Sequence, residues 1–347
     1  MSTNWTDPTI TSSTHVRIPH INELRSVVDK NRLQAGLGSY SWTDSPVSRF
    51  THIRAVHFNE LRNAVQDLWN HLGMGTLPNW SYGSAPSGDS TRHISARDTT
   101  DLRNWVQQYQ NQAGPSYDPY YWGVDSAARA NDTYPNTQST VFDYVTLKAG
   151  ESPLFWGRYI GGSFALNSDE VDYIHGKSCK ILPIYNGATS GSVSGTYQDG
   201  QNDAKNAINA AQALGVPYGK VIFADIEASW SPSVAWIKGW SDTIFDSIYA
   251  GSGGFYANTS SSNPFNGAYC AAYNGDSEMQ ISVGFIYADE PEPGCTTAGG
   301  APAWGPSAPP CNNGAVVAWQ YAESCYMSGV VGVDEDLVNA TGWYYLW

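Results

Sequence analysis

In VIFADIEASW, residues 221–230, an apolar run leads into Asp225 and, one residue later, Glu227. Alternate residues of a strand face the same side, so the spacing predicts both carboxyls on one face, with Ile226 turned to the other. Crowding two carboxyls raises the proton affinity of one of them, which is what a general acid working near neutral pH requires. Cleavage of a glycosidic bond uses such a pair. One group hands a proton to the leaving oxygen, and the other supports the oxocarbenium-like transition state as nucleophile or base. Two more acids, Asp125 in YYWGVDSA and Asp334 in VVGVDEDLV, fall at the ends of other apolar runs, with Asp336 as the alternative to Asp334. Arg158, Tyr159, Tyr185, Tyr256, Trp319 and Gln320 hold comparable positions and are candidates for lining a sugar site, since flat rings with polar tips suit sugar faces and hydroxyls.

Each of these has a structural reading beside it. Arg158 paired with Asp125 or Glu227 would lock the site and keep Glu227 ionised, which spoils it as an acid. Asp334 as a turn cap and the aromatic side chains as core need no ligand. Clustered carboxylates also hold divalent cations, but nothing in the pattern selects one, and neither a metal nor a cofactor is expected.

These residues meet only if the runs that carry them are strands of one sheet. Beyond residue 115 there are eight such runs: YYWGVDSA, LFWGRYIG, KILPIYNG, KVIFADIEA, GGFYAN, SVGFIYAD, AVVAWQYA and VVGVDEDLV. Helical segments separate several of them. Residues 167–179 open on Asn167 or Ser168 as a cap, 199–215 are Ala-rich and stop at Gly215, and 231–249 begin with Ser231-Pro232, a cap and first turn. Alternating strands and helices predict an α/β fold, a (β/α)8 TIM-like barrel over residues 115–347, with functional groups gathered at the C-terminal strand ends. The loop PEPGCTTAGGAPAWGPSAPPC marks the sixth and seventh crossovers as places where a helix is missing.

Residues 1–114 read differently. HVRIPHINELRSVVD (15–29) realigns with HIRAVHFNELRNAVQ (52–66) at an offset of 37, and a looser third copy, HISARDTTDLRNWVQ (93–107), follows 41 residues later. Each copy is an aromatic-bearing loop followed by one helix with an apolar stripe, so three copies predict a small helical bundle. Arg25, Arg62 and Arg103 recur beside Glu23, Glu60 and Asp101, a pattern suited to structural ion pairs or caps. His15, His52 and His93 also recur, and loop packing explains them more simply than a metal site. AGPSYDPYY (113–121) is a linker by composition.

The net charge of −14, from 32 acidic against 18 basic residues, argues against a nucleic-acid partner. No apolar run has the length of a membrane span. MSTNWTDPTI lacks the basic start and apolar core of a signal peptide, leaving prior removal, another export route or an intracellular protein as the readings. Of five cysteines, four lie in the C-terminal quarter. Cys295–Cys311 is the first expected disulfide, because these two bracket a Gly/Pro-rich loop, with Cys270–Cys325 second and Cys179 left as a buried thiol.

The motifs WGVDSA, DIE, WQY and GVDEDL, in this order over residues 119–347, resemble the glycoside-hydrolase-like barrels of unknown function in bacterial exported proteins, which are similar to family 25 lysozymes. The resemblance implies Glu227 as general acid, Asp225 as its orienting or stabilising partner, and Asp125 and Asp334 as further carboxylates. It also places Tyr185 where the lysozymes have an aromatic residue. The sequence departs from those enzymes at Arg158, where they carry a Lys- and Glu-bearing segment, and Phe223-Ala224 stand where chitinases have further acids. The pattern I-R-A-V-H-x-N-E-L-R resembles a repeat that decorates large secreted bacterial surface proteins and implies attachment. Together these imply an extracellular or cell-surface protein with a polysaccharide or cell-wall glycan as ligand, and a surface or particle partner for residues 1–114. A catalytically silent glycan-binding barrel and a structural or cargo component of a secreted assembly are the alternatives.

Overall fold

The computed structural model describes residues 5, 9–11, 14–35, 37, 40–44, 47, 52–83, 85–87, 94–113, 120–249, 253–276, 279, 285–312, 314–328 and 331–347. The chain divides into two compact units, Met1–Pro119 and Tyr120–Trp347.

The first unit contains α1 (Ile18–Gln34), α2 (Ala55–His71) and α3 (Ala96–Ala113), one helix for each copy of the repeat. Their apolar stripes bury Ile21, Leu24 and Val28, then Phe58, Leu61 and Val65, then Leu102, Trp105 and Val106. The recurring charges close a ring around this core. Arg25 pairs with Glu60 at 3.1 Å, Arg62 lies in the field of Asp101, and Arg103 returns to Glu23 at 3.1 Å. Each arginine also lies over a tryptophan from an aromatic loop: Arg25 over Trp42, Arg62 over Trp80 and Arg103 over Trp5. The acids tie the loops down as well, Glu60 accepting from Thr43 N and Asp101 from Ser81 N. His15 and His52 are exposed, and His93 lies outside the described residues. Another recurring position caps the helices. The Nδ1 of His20 and of His57 accepts the backbone N–H three residues earlier, and Asp98 does the same in the third copy.

The second unit is a closed barrel in the order β1 to β8. The strands are β1 (Tyr120–Asp125), β2 (Phe155–Tyr159), β3 (Lys180–Tyr185), β4 (Phe223–Ile226), β5 (Gly254–Ala257), β6 (Phe285–Asp289), β7 (Val316–Ser328) and β8 (Val331–Asn339). Six further α-helices pack outside or between them: α4 (Val141–Ala149), α5 (Ser168–Gly176), α6 (Ser190–Val193), α7 (Tyr197–Leu214), α8 (Val234–Phe245) and α9 (Pro264–Asn274). A last helix, α10 (Ala340–Tyr345), carries Trp343 and Tyr345 into the lower barrel core. Asn167 caps α5, and Gly215 ends α7 in the left-handed conformation. The helix expected from Ser231-Pro232 starts later, with Ser233 as cap, because the Ser233 hydroxyl is the one that accepts the Trp236 N–H.

The fold is a TIM-like barrel with one departure from the (β/α)8 pattern. Strands β1 to β7 run parallel, but β8 is antiparallel to both β7 and β1. Among the described residues no α-helix separates β6 from β7 or β7 from β8; the first connection has a single 3-10 turn, Ala298–Gly300. Two disulfides hold this helix-free connection: Cys270 of α9 to Cys311, and Cys295 to Cys325 of β7. Both expected pairings are therefore corrected. Bracketing a loop in sequence does not bring its ends together; here one end is fixed to a helix and the other to a strand. Cys179 is free and buried.

Strand parity decides what the barrel interior receives. Tyr121, Phe155, Ile184, Phe223, Tyr287 and Val338 form the inner core, and residues of the opposite parity, such as Trp156, Ile181 and Ala224, pack outward under the helices.

Candidate active site

The same parity carried to the mouth places Asp125, Tyr159, Asp225, Tyr256, Asp289 and Gln320 inward from β1, β2, β4, β5, β6 and β7. From β8 come Asp334 and Asp336. Because β8 runs backwards, the earlier of its two acids is nearer the mouth: Asp334 lies opposite Asp125, while Asp336 lies one step deeper, opposite Gly123. Asp334 is half-buried and Asp336 fully enclosed. Room for Asp125 comes from Gly157 across the β1–β2 pairing, where a Cβ would sit 2.5 Å from the Asp125 Cβ.

Asp125 anchors a buried hydrogen-bond network. Its Oδ2 accepts from Tyr287 Oη at 2.5 Å and from Gln320 Nε2 at 3.0 Å, and Gln320 Oε1 accepts from Tyr256 Oη at 2.7 Å. Tyr287 Oη also lies 2.6 Å from Asp336 Oδ1. A phenol has one proton to donate, so two such short contacts need a second proton on one of the carboxyls. Asp336 is the group that holds it: burial drives its proton affinity well up, and the charge of Asp125 adds to this. Burial also pushes Asp125 up to about 6, against the pull of the Tyr287 and Gln320 hydrogen bonds.

The remaining acids are raised for similar reasons. Asp225 is pushed up to about 7 by burial, then by the charges of Glu227 and Asp289. Asp289 also reaches about 7, through burial first and then the charges of Glu323, Glu227 and Asp334. Asp334 rises to about 8, through burial and the charge of Asp125, although it accepts the Ser324 N–H at 2.6 Å. Glu227 sits one residue past the end of β4 and is exposed at the rim above Asp225. The site thus stacks an open carboxyl over enclosed ones whose proton affinities lie above the ordinary carboxylate range. Among the described residues no group of three or more carboxylate, histidine or cysteine side chains is set to hold a metal ion.

Three expected lining residues point elsewhere. Arg158 is buried on the outer face of β2, where Nε and Nη2 bind Glu170 of α5 at 2.6 and 3.1 Å and Nη1 binds the Ser126 carbonyl at 2.6 Å. It pairs with neither Asp125 nor Glu227, so the proposed lock on the mouth is absent too. Tyr185 has outward parity on β3, packs 6.1 Å from Trp240 of α8, and covers Gly187. Trp319 faces out from β7, donating to the Glu290 carbonyl at 3.0 Å with its ring edge-on to Trp304. The reason is common to all three: each is one position away from an inward residue, namely Tyr159, Asn186 or Gln320. Asp289 and Tyr287, at the end of the run SVGFIYAD, also face the mouth from β6. The i and i+2 spacing in YAD, applied as it was to DIE, identifies both.

Residues 145–338 match the family described as Rv2525c-like, glycoside hydrolase-like domain. Among solved structures, an uncharacterised B. stearothermophilus protein is 32% identical, with 65% of this chain and 100% of that chain covered and a TM-score of 0.58. The Tat-secreted protein Rv2525c of Mycobacterium tuberculosis, in complex with L-tartrate, is 18% identical over 63% of this chain and 95% of that one, with a TM-score of 0.41. A family 25 glycosyl hydrolase from Bacillus anthracis is 14% identical over 65% and 94%, with a TM-score of 0.31. No curated protein matches the chain in sequence.

Proposed function

The chain belongs to the Rv2525c-like glycoside hydrolase-like domain family, and from that premise we propose that its barrel is a glycoside hydrolase acting on a cell-wall or other N-acetylhexosamine-containing polysaccharide by carboxylate acid/base catalysis. The observation that carries this reading is the stack of Glu227 over Asp225 at one mouth, with Asp225 raised to about 7 by burial and by the charge of Glu227. In an open site the pair holds a proton on Asp225. A sugar ring seated over the mouth strips water from Glu227, and an anion without water is stabilised by taking a proton. Glu227 then reaches the leaving oxygen and protonates it as the glycosidic C–O bond breaks. Asp225, left as the anion, stabilises the positive charge that develops on the sugar; water then adds to that carbon, and the proton it gives up returns to the pair. Asp125 and Asp334 hold the opposite side of the mouth, and the rings of Tyr159 and Tyr256 offer faces to the sugar.

Residues 1–114 are proposed to attach the enzyme to a surface or a larger assembly. Two of their three repeated arginines pair with repeated acids and all three lie over tryptophans, an arrangement internal to this unit. Two disulfides fit an oxidising, extracellular setting, and no described helix is long and apolar enough to cross a membrane. The test is release of reducing ends from purified peptidoglycan, chitin oligomers and plant or fungal glucans. Release by the parent protein and its loss in Glu227→Gln support the enzyme. Binding without release, retained in Glu227→Gln, replaces it with a glycan-binding barrel.

A further inference from the structure

Among the described residues no ion pair involves Asp125, Asp225, Glu227, Asp289, Asp334 or Asp336, and Arg158 of β2 is turned outward onto Glu170. The acids are not equally supplied with donors. Asp125 accepts from Tyr287 and Gln320, Asp336 contacts Tyr287, and Asp334 accepts the Ser324 N–H. Asp289 is only 8% exposed and faces inward from β6, yet its Oδ1 has no hydrogen-bond partner. Asp225, 6% exposed, leaves its own Oδ1 without one. A buried acceptor with no donor is a standing free-energy penalty that a ligand's donor relieves.

We propose that the mouth selects a hexosamine whose 2-amino group is free, so that the polymer it takes carries de-N-acetylated, positively charged units, and that Asp289 is the specificity-determining side chain that receives the ammonium. This rests on the glycosidase reading and narrows its substrate. An ammonium brings three donors and a positive charge, which meets the unpartnered Asp289 oxygen and favours the ionised form of that carboxyl. An acetamido group brings one N–H and no charge. An acidic sugar brings a further anion and no ammonium donor. Asp289 takes this role rather than Asp225 because Asp225 is committed to exchanging a proton with Glu227.

The experiment titrates the full chain with glucosamine oligomers, N-acetylglucosamine oligomers of the same length and a lysine oligomer, measuring Kd calorimetrically, and follows reducing ends separately. The parent protein is expected to bind the glucosamine oligomer about tenfold or more tightly than the acetylated one, the scale of a charge-assisted hydrogen bond, with the preference shrinking as salt rises. Asp289→Asn, checked for folding by circular dichroism, is expected to lose the preference. Equal or tighter binding of the acetylated oligomer by the parent protein overturns the proposal without reference to any variant. Retention of the preference in folded Asp289→Asn overturns the role of Asp289, and lysine oligomers binding as tightly overturn the sugar assignment. Cleavage of both sugar oligomers at equal rates defeats this inference and keeps the hydrolase. Selective binding of glucosamine oligomers without cleavage does the reverse.

Discussion

Arg158 allows the orientation of β2 to be tested apart from any activity. Its side chain is fully buried with that of Glu170, at 2.6 Å, and it also serves the carbonyls of Ser126, Ala127 and Phe164. Arg158→Met removes the cation but leaves Glu170 enclosed, where breaking a buried pair typically costs about 3–5 kcal/mol. The carbonyls left without donors do not lower that figure. For a unit of this size each kcal/mol moves Tm by roughly 2–4 °C, so the barrel transition should fall by about 6–20 °C. Arg158→Met with Glu170→Met should recover much of the loss, since an apolar pair of similar volume often matches a buried ion pair. The assay is thermal unfolding of all variants by circular dichroism, with glycan binding measured well below each transition. A single variant that melts like the parent but no longer binds glycan would refute the reasoning, because that is the behaviour of an arginine facing the mouth.

Three further outcomes follow from the site and its rim. Asp225 and Asp289 each reach about 7 in the folded barrel from an ordinary 3.8, so between those values the folded state binds more protons than the unfolded one. Stability should therefore fall as pH rises through that window, by up to about 1.4 kcal/mol per pH unit for each group. Asp225→Asn or Asp289→Asn should melt above the parent near pH 8, with the gap closing toward about pH 4; a gap that widens on acidification contradicts the assignment. Peptide mapping should find Cys270–Cys311 and Cys295–Cys325, whose sequence separations are 41 and 30. Replacing either pair by serines should destabilise the barrel by about 3–4 kcal/mol on a chain-entropy account, measured as the shift in denaturant midpoint.

The residues legible in the sequence were those whose spacing carries its own geometry. Asp225 and Glu227 share a face wherever β4 lies, and the repeated Arg and acid positions of residues 1–114 predicted an ion-pair scheme that the ring of Arg25–Glu60 and Arg103–Glu23 realises. The barrel itself followed from eight apolar runs. Arg158, Tyr185 and Trp319 were misplaced for a physical reason. Strands enclosed on both faces read as continuous apolar runs, so FWGRY and VVAWQY do not say which alternate set is inside. The inner set is visible only through contacts across strands, such as Gly157 against Asp125. The direction of β8 was likewise hidden. VVGVDEDLV reads the same in either direction, and only its pairing with β1 sets Asp334 above Asp336. The disulfides depend on where α9 and β7 bring Cys270 and Cys325, which no spacing within the loop records.

The central claim, that the Asp225–Glu227 pair carries the catalytic proton, is tested most directly by the pH dependence of kcat/KM for reducing-end release, which reports the essential acid and base of the free enzyme. The account predicts activity that falls as pH rises, on a limb with an apparent value of about 7 belonging to the pair, and a displaced or missing limb in Asp225→Asn. A rate constant that stays flat or climbs through that region, with the same profile in Asp225→Asn, would contradict it.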